Sequence, residues 1–470
     1  MTYICVIGAG GGGLSVAAGA AQLGAPTVLI ERGKMGGDCL NYGCVPSKAM
    51  LAAAKAAQTA RGAGKFGVAA GEVTVDFAQV MAHVQGVIAA IEPNDSEERF
   101  TKLGCHVIRA AARFISPREV AAGDHIVRAR RFVIATGSSA AIPSIPGLDQ
   151  TPFLTNETLF ENRVRPDHLV IVGGGPIGME MAQAHRRLGA RVTVLARSRV
   201  LARDDAGLAG VVAAALRGEG VEILENVEIL SAARQENGEI RIAMRDEAGE
   251  RQITGSHLLV AAGRAPNVAG LGLEAAHISY DAKGVKTDAS LRTTNRRVYA
   301  IGDVCGGPQF THVAGYHAGL IIRSGLFRIP ARSDHGAVPH VTYCDPELAQ
   351  VGLTESDASR AGLKPGVLHW RFDENDRAQA ERRTEGMAKV ITGKGGVILG
   401  AGIVGMNAGE LLQPWILAMT RKLKIGAMTS MIAPYPTLGE INNRIAGSYY
   451  TPGLFSPRTR RIVSLLRRFG

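Results

Sequence analysis

A short apolar strand that runs into a glycine-rich turn and on into a helix occurs twice in this chain, and few folds accept that pattern twice. The first copy is Tyr3-Ile4-Cys5-Val6-Ile7 followed by Gly8-Ala9-Gly10-Gly11-Gly12-Gly13, with the small residue Ala17 four places on. The second is Leu169-Val170-Ile171-Val172 followed by Gly173-Gly174-Gly175-Pro176-Ile177-Gly178, with Ala182 in the matching place. In G-x-G-x-x-G the first glycine permits a tight turn, the second lets a pyrophosphate approach the backbone, and the third lets helix and strand pack closely. The repeat predicts an α/β protein with two Rossmann-like dinucleotide-binding domains.

The residues downstream of each unit set the two apart. The strand Thr27-Val28-Leu29-Ile30 ends at Glu31, 23 positions after Gly8, where a carboxylate is suited to a ribose diol. Counting the same 23 positions from Gly173 reaches Ala196, with Arg197 and Arg199 just beyond. Loss of the carboxylate removes repulsion against a 2′-phosphate, and guanidiniums supply charge-assisted bonds to one. The second site is therefore expected to take NADPH in preference to NADH. Two further strand-plus-turn segments, Arg131–Gly137 and His257–Arg264, close the units, and Arg297–Val304 gives a strand ending in Gly302-Asp303. A carboxylate there can accept from a polyol hydroxyl.

Just after the first unit stands Gly36-Gly37-Asp38-Cys39-Leu40-Asn41-Tyr42-Gly43-Cys44-Val45-Pro46-Ser47-Lys48. Two thiols at this spacing, beside a nucleotide site, suit a dithiol that opens and closes a disulfide and so moves two electrons. A static bridge closing a turn is the plainer alternative. The other cysteines, Cys5, Cys105, Cys305 and Cys344, read as small buried hydrophobes. Six cysteines in 470 residues do not make a secreted disulfide framework, and the first strand starts too near the initiator methionine for a leader, so a cytoplasmic location is expected.

The chain is long enough for about three domains. Its formal charge of +11 is partly concentrated in Arg458-Thr459-Arg460-Arg461-Ile462-Val463-Ser464-Leu465-Leu466-Arg467-Arg468-Phe469. A terminal helix docked by one face on its own protein is the expectation for this tail, with contact to a membrane or a partner as the alternative. The aromatic and basic interleaving of a nucleic-acid platform is missing, and no metal-ligand set is expected.

The two glycine units, the C-x-x-x-x-C pair, the A-[TA]-G turns and the Gly302-Asp303 segment, in this order, resemble the class I pyridine nucleotide-disulfide oxidoreductases. Glutathione reductase, dihydrolipoamide dehydrogenase and mercuric reductase belong to that family. Val341–Gly352 looks like the start of its α+β C-terminal dimerisation domain, and Val192–Ser198 looks closest to the mercuric reductases. The resemblance implies FAD on the first unit, with Gly8, Gly10, Gly13, Glu31, Gly137 and Asp303 as contacts, and NADPH on Gly173, Gly175, Gly178, Arg197 and Arg199. It implies that Cys44 faces the flavin as a thiolate, that Cys39 exchanges with substrate, and that Lys48 and Glu180 pair near flavin and nicotinamide. The expected layout is an FAD-binding part over 1–148, an NAD(P)H domain over 149–267, a second FAD-binding part over 268–338 and a dimerisation domain over 339–470, in a homodimer sharing its active site across the interface.

One departure bears on the substrate. Ala433-Pro434-Tyr435-Pro436-Thr437-Leu438-Gly439-Glu440 aligns with the family's H-P-T-x-x-E element, with Tyr435 at the histidine. Tyrosine, with an unperturbed pKa of about 10 against about 6.5 for histidine, is a poor general base near neutrality. Glu440 is expected to lack its usual partner. The mercuric reductases also have tyrosine here, and a soft metal ion needs thiolates more than a proton shuttle. They also carry a vicinal cysteine pair near the C-terminus, whereas the last cysteine here is Cys344. The reading is thus an FAD- and NADPH-dependent oxidoreductase passing electrons to a disulfide, metal ion or other acceptor. NAD-linked dihydrolipoamide oxidation and a slow redox sensor stand as alternatives.

Overall fold

Runs of consecutive apolar residues such as Cys5-Val6-Ile7 and Val28-Leu29-Ile30 suit strands covered on both faces, which is where parallel sheets place them. The computed structural model describes residues 2–469, and these runs form its central sheet. Strand Thr2–Ile7 lies between Thr27–Ile30 and His125–Ile134, parallel to both, with Ile7 opposite Ile30 on one side and Ile134 on the other. Cys105–Ile108 extends the sheet beyond Thr27–Ile30, and Val298–Ala300 pairs with His125–Ile134. Cys5, Val6, Phe132 and Val133 are fully buried. A second parallel set, Arg191–Leu195 beside His168–Val172 beside His257–Val260, carries the second glycine turn. An antiparallel meander is built from Glu228–Arg234, Ile240–Asp246 and Gly249–Gly255.

The chain divides into two compact units. One holds the residues up to Arg197 together with Leu224–His335 and contains both glycine turns. The other joins Ser198–Ile223 to everything from Gly336 onward. Its frame is an antiparallel sheet ordered Pro339–Thr342, Glu347–Gly352, Ile398–Gly405, Met387–Thr392, Gly366–Arg371.

Helix Ala206–Gly218 packs on this second sheet, and the reason is local. A side chain on Gly402 would come within 2.4 Å of the Leu208 methyl, so the glycine makes room for the helix. Asp205, the helix N-cap, accepts from the backbone of Gly207 and Leu208 and pairs with the nearly buried Lys389 at 2.8 Å, and Lys389 also meets Glu355 at 2.6 Å. Trp415 is fully buried and donates to Asn442 Oδ1 at 2.7 Å, satisfying its indole N–H as a buried tryptophan requires. Asn407, at φ 57°, turns the chain out of strand Ile398–Gly405 into helix Ala408–Leu411.

The basic tail forms helix Pro457–Leu466, N-capped by Ser456. None of its side chains is buried, so the expected docking on its own protein does not occur within the chain. Among the described residues no helix is long and apolar enough to cross a membrane. Cys5, Cys105 and Cys344 are buried as expected, whereas Cys305 is only partly so.

Candidate active site

The first glycine turn shows which of its glycines serve packing and which serve something else. A side chain at Gly8, which has φ +105°, would stand 2.4 Å from the Ala135 carbonyl, and one at Gly13 would stand 1.9 Å from the Gly8 carbonyl. Those two glycines bring strand and helix together. Gly10, the N-cap of helix Gly11–Gln22, has its nearest neighbour at 4.0 Å, so its missing side chain leaves open space at a helix N-terminus. That space, lined by backbone N–H groups, fits a pyrophosphate. Glu31 stands beside it, accepting from the Ala9 and Gly33 N–H groups at 2.6 Å each, which fixes both carboxylate oxygens next to the turn. The residues present fit the adenosine end of FAD.

The cysteine segment is tied directly to this turn. Gly36 donates to the Ala9 carbonyl and bridges Gly10, and a side chain on Gly37 would meet the Gly10 Cα at 2.7 Å. Cys39 sits in the short helix Gly37–Asn41, held by Asn41 Nδ2 donating to the carbonyls of Met35 and Gly37. Cys44 is the first residue of helix Cys44–Gly62, where the helix dipole favours a thiolate.

Both sulfurs are free thiols hydrogen-bonded to one another, and their environments push them apart. The hydrogen bond from Cys39 lowers Cys44 to about 6, with Thr311, whose hydroxyl lies 3.5 Å from the Cys44 sulfur, and the Lys48 charge acting in the same direction against burial. The same hydrogen bond, then burial and the Cys44 charge, raise Cys39 far above the ordinary thiol range. One turn along the helix from Cys44, Lys48 Nζ pairs with Glu180 Oε2 at 2.8 Å.

Asp303 is held from two sides. Ser138 Oγ donates to its Oδ2 at 2.5 Å, and Arg264 donates to both the Ser138 hydroxyl and its carbonyl at 2.7 Å. The same guanidinium lies 3.2 Å from Asp38, which also accepts from Asn156 at 2.8 Å. Arg264 thus ties the residue before Cys39 to the Gly-Asp segment. Burial raises the Asp303 carboxyl, opposed by the Ser138 bond and the Arg264 charge. Gly137, at φ +67°, directly precedes Ser138 and faces open space.

The second glycine turn repeats the first. Gly173, at φ +126°, and Gly178 exclude side chains at 2.2 Å and 2.0 Å from the Ala261 and Gly173 carbonyls, while Gly175 has nothing within 4 Å. Ala196, at the end of the next strand, is buried, its N–H donating to Leu224 and its carbonyl accepting from Val227. The two arginines differ. Arg197 is exposed, whereas the Arg199 guanidinium donates to the carbonyls of Val200, Ala202 and Asp204 and so closes its own turn.

In the other unit, the Tyr435 hydroxyl donates to Asp376 Oδ2 at 2.9 Å, and that bond raises the phenol. Glu440, with no histidine at position 435, lies 3.6 Å from Arg444 one helical turn later. Thr311, Arg264, Asp38 and Asp376 carried no sequence signal of the roles they take. Each sits far along the chain from a group it touches, and no motif spacing links the two.

Residues 2–318 match the family described as pyridine nucleotide-disulphide oxidoreductase, and residues 338–445 match its dimerisation domain. The chain is similar to a mercuric reductase of Streptomyces lividans, 35% identical over 445 residues that make up 93% of this chain and 94% of the relative. A dihydrolipoyl dehydrogenase of Geobacillus stearothermophilus is 32% identical over 448 residues, 94% of each chain. Among solved structures, LpdA from Mycobacterium tuberculosis superposes with a TM-score of 0.87 at 26% identity, covering 96% of this chain and 100% of its own. A Cu(II) complex of the HOCl-induced flavoprotein disulfide reductase RclA from Escherichia coli gives 0.85 at 26% identity, covering 95% and 99%.

Proposed function

The chain belongs to the pyridine nucleotide-disulphide oxidoreductases and is a flavin-dependent enzyme of that kind, and from this premise we propose that it passes electrons from NADPH through the Cys39–Cys44 pair to a soft metal ion, in the manner of the mercuric reductases. FAD, when bound, carries two electrons from the pyridine nucleotide to the cysteine disulfide. In the dithiol form Cys44 keeps a thiolate and Cys39 keeps its proton. A divalent ion taken by the two sulfurs displaces that proton to solvent. As the S–S bond re-forms, the pair loses two electrons and the ion gains them.

The observation that carries this reading is the Tyr435 hydroxyl donating to Asp376. A phenol committed as a donor to a carboxylate, with its pKa raised, does not serve as the base that thiol exchange with lipoamide or glutathione disulfide needs, and such help is typically worth 10²- to 10⁴-fold. A metal ion acidifies the thiol it binds and needs no such base. The resemblance implies that Tyr435 reaches the cysteine pair of the other protomer across the homodimer interface.

NADPH is preferred in this reading because Ala196 carries no charge and Arg197 is exposed beside it, ready for a 2′-phosphate. The four segments 1–148, 149–267, 268–338 and 339–470 are the functional layout in this reading, and the location is cytoplasmic.

The test is an NADPH oxidation screen over mercuric ion, cupric ion, lipoamide, glutathione disulfide and quinones, repeated with Tyr435→His. Metal turnover above disulfide turnover, with a gain in disulfide turnover in the variant, is expected. Fast oxidation of dihydrolipoamide with NAD would replace this reading by a dihydrolipoamide dehydrogenase, and no turnover with any acceptor would leave a redox sensor.

A further inference from the structure

After Glu440 the chain has no acidic residue, while six arginines occur there, five of them at or beyond position 458. Helix Pro457–Leu466 and the residues just after it sort four of these five charges, while Arg458, in the first turn, stands at the edge where the apolar side begins. At about 100° per residue, Ile462, Val463, Leu465, Leu466 and Phe469 share one side, and Arg460, Arg461, Arg467 and Arg468 share the other. All nine side chains are exposed, with Leu466 at 60% and Phe469 at 81%. An apolar stripe of this size in water is unfavourable and marks a contact surface.

The occupant is fixed by charge and by position. The matched dimerisation domain ends at residue 445, and the helix lies beyond it. A second copy would bring the same arginines, and a net charge of +11 of its own, to this surface. A nucleic acid would answer the arginines and leave the apolar side wet. An anionic bilayer answers both sides at once. A helix with cations on one face and Leu, Ile and Phe on the other lies in the plane of the headgroups with its apolar face sunk into the acyl boundary. We propose that helix Pro457–Leu466, with Arg467, Arg468 and Phe469, is a reversible docking element for an anionic membrane surface.

The test is co-sedimentation of the full-length holoenzyme with vesicles of phosphatidylcholine alone or with phosphatidylglycerol, at low and high salt. Binding should require the anionic lipid and weaken with salt. Each arginine near such a surface contributes roughly fivefold to partitioning, so the Arg460→Gln/Arg467→Gln variant should bind roughly 25-fold more weakly. Ile462→Glu/Leu465→Glu should lose binding by at least about tenfold while retaining dimer mass and NADPH oxidation. Absence of binding to anionic vesicles at low salt overturns the proposal. So does undiminished binding of Ile462→Glu/Leu465→Glu, which would reveal attraction by charge alone, as a nucleic acid would also produce. Dissociation of the dimer in that variant would assign the face to a second copy instead.

Discussion

Lys48 Nζ lies 2.8 Å from Oε2 of Glu180, a carboxylate 132 positions further along the chain and only 6% exposed. The pair joins the helix that begins at Cys44 to helix Pro176–Arg187, which begins at the second glycine turn. Withdrawing one charge from a buried pair costs about 3–5 kcal/mol, and the partial exposure of Lys48 reduces that here. Lys48→Met is expected to lower stability by about 2 kcal/mol, read by urea denaturation at saturating FAD, and to raise the Cys44 pKa by removing a nearby cation. Unchanged stability would mean that the ion pair is incidental.

The Cys44 thiolate gives a pH signature. Above about pH 6 the reduced protein should alkylate fast at Cys44 and below it slowly, since the lowered pKa makes the nucleophilic form persist to that pH. Cys39→Ala removes the hydrogen bond that does most to lower it, so the midpoint should climb toward the ordinary value of about 8.5. Thr311→Val should move it the same way by less. Peptide mapping of iodoacetamide adducts against pH checks all three, and a midpoint that stays put in Cys39→Ala would refute the assigned cause.

The glycines of the second turn should separate folding from binding. Gly178→Ala places a methyl 2.0 Å from a backbone carbonyl and should cost several kcal/mol, lowering Tm. Gly175→Ala points its methyl into open space at a residue with ordinary φ, so Tm should hold while NADPH affinity falls by at least about tenfold. Equal losses of Tm in both variants would show that Gly175 is a packing glycine too.

Arg197 and Arg199 should part in the same way. Arg197→Ala is expected to raise the KM for NADPH roughly 10- to 100-fold and leave that for NADH nearly unchanged, the scale of one charge-assisted phosphate contact. Arg199→Ala removes three bonds to backbone carbonyls and should be felt in stability more than in the choice between the two nucleotides. Steady-state kinetics with both nucleotides decides, and a matched loss for NADPH and NADH in Arg197→Ala would remove the 2′-phosphate assignment.

Much of this was legible because it is local. A glycine that must pack strand against helix, or a carboxylate at a strand end, leaves its trace within about 25 residues, so Gly8, Gly13, Glu31 and the Cys39–Cys44 segment could be read directly. Glu180 was legible only through the resemblance. Thr311 beside Cys44 and Arg264 between Asp38 and Asp303 were not, because a hydroxyl or guanidinium that acts across more than 200 residues has no spacing to betray it. Arg444 could have been found, four positions after Glu440 on one helix face, by the ordinary rule for ion pairs on helices. The lone side of the terminal helix was hidden because an amphipathic pattern states that a face wants cover and not what covers it.

The pairing of Asp205 with Lys389 sets a timetable for the newborn polypeptide. Asp205 emerges from the ribosome 184 residues before its counter-charge, and the helix it caps buries Leu208, Val212 and Leu216 in the finished molecule. At roughly 5–20 residues per second, that helix waits about ten to forty seconds for the strands that cover it. A polypeptide stopped short of strand Ile398–Gly405 would therefore carry, in its middle, a helix whose apolar side is only partly covered by strand Glu347–Gly352.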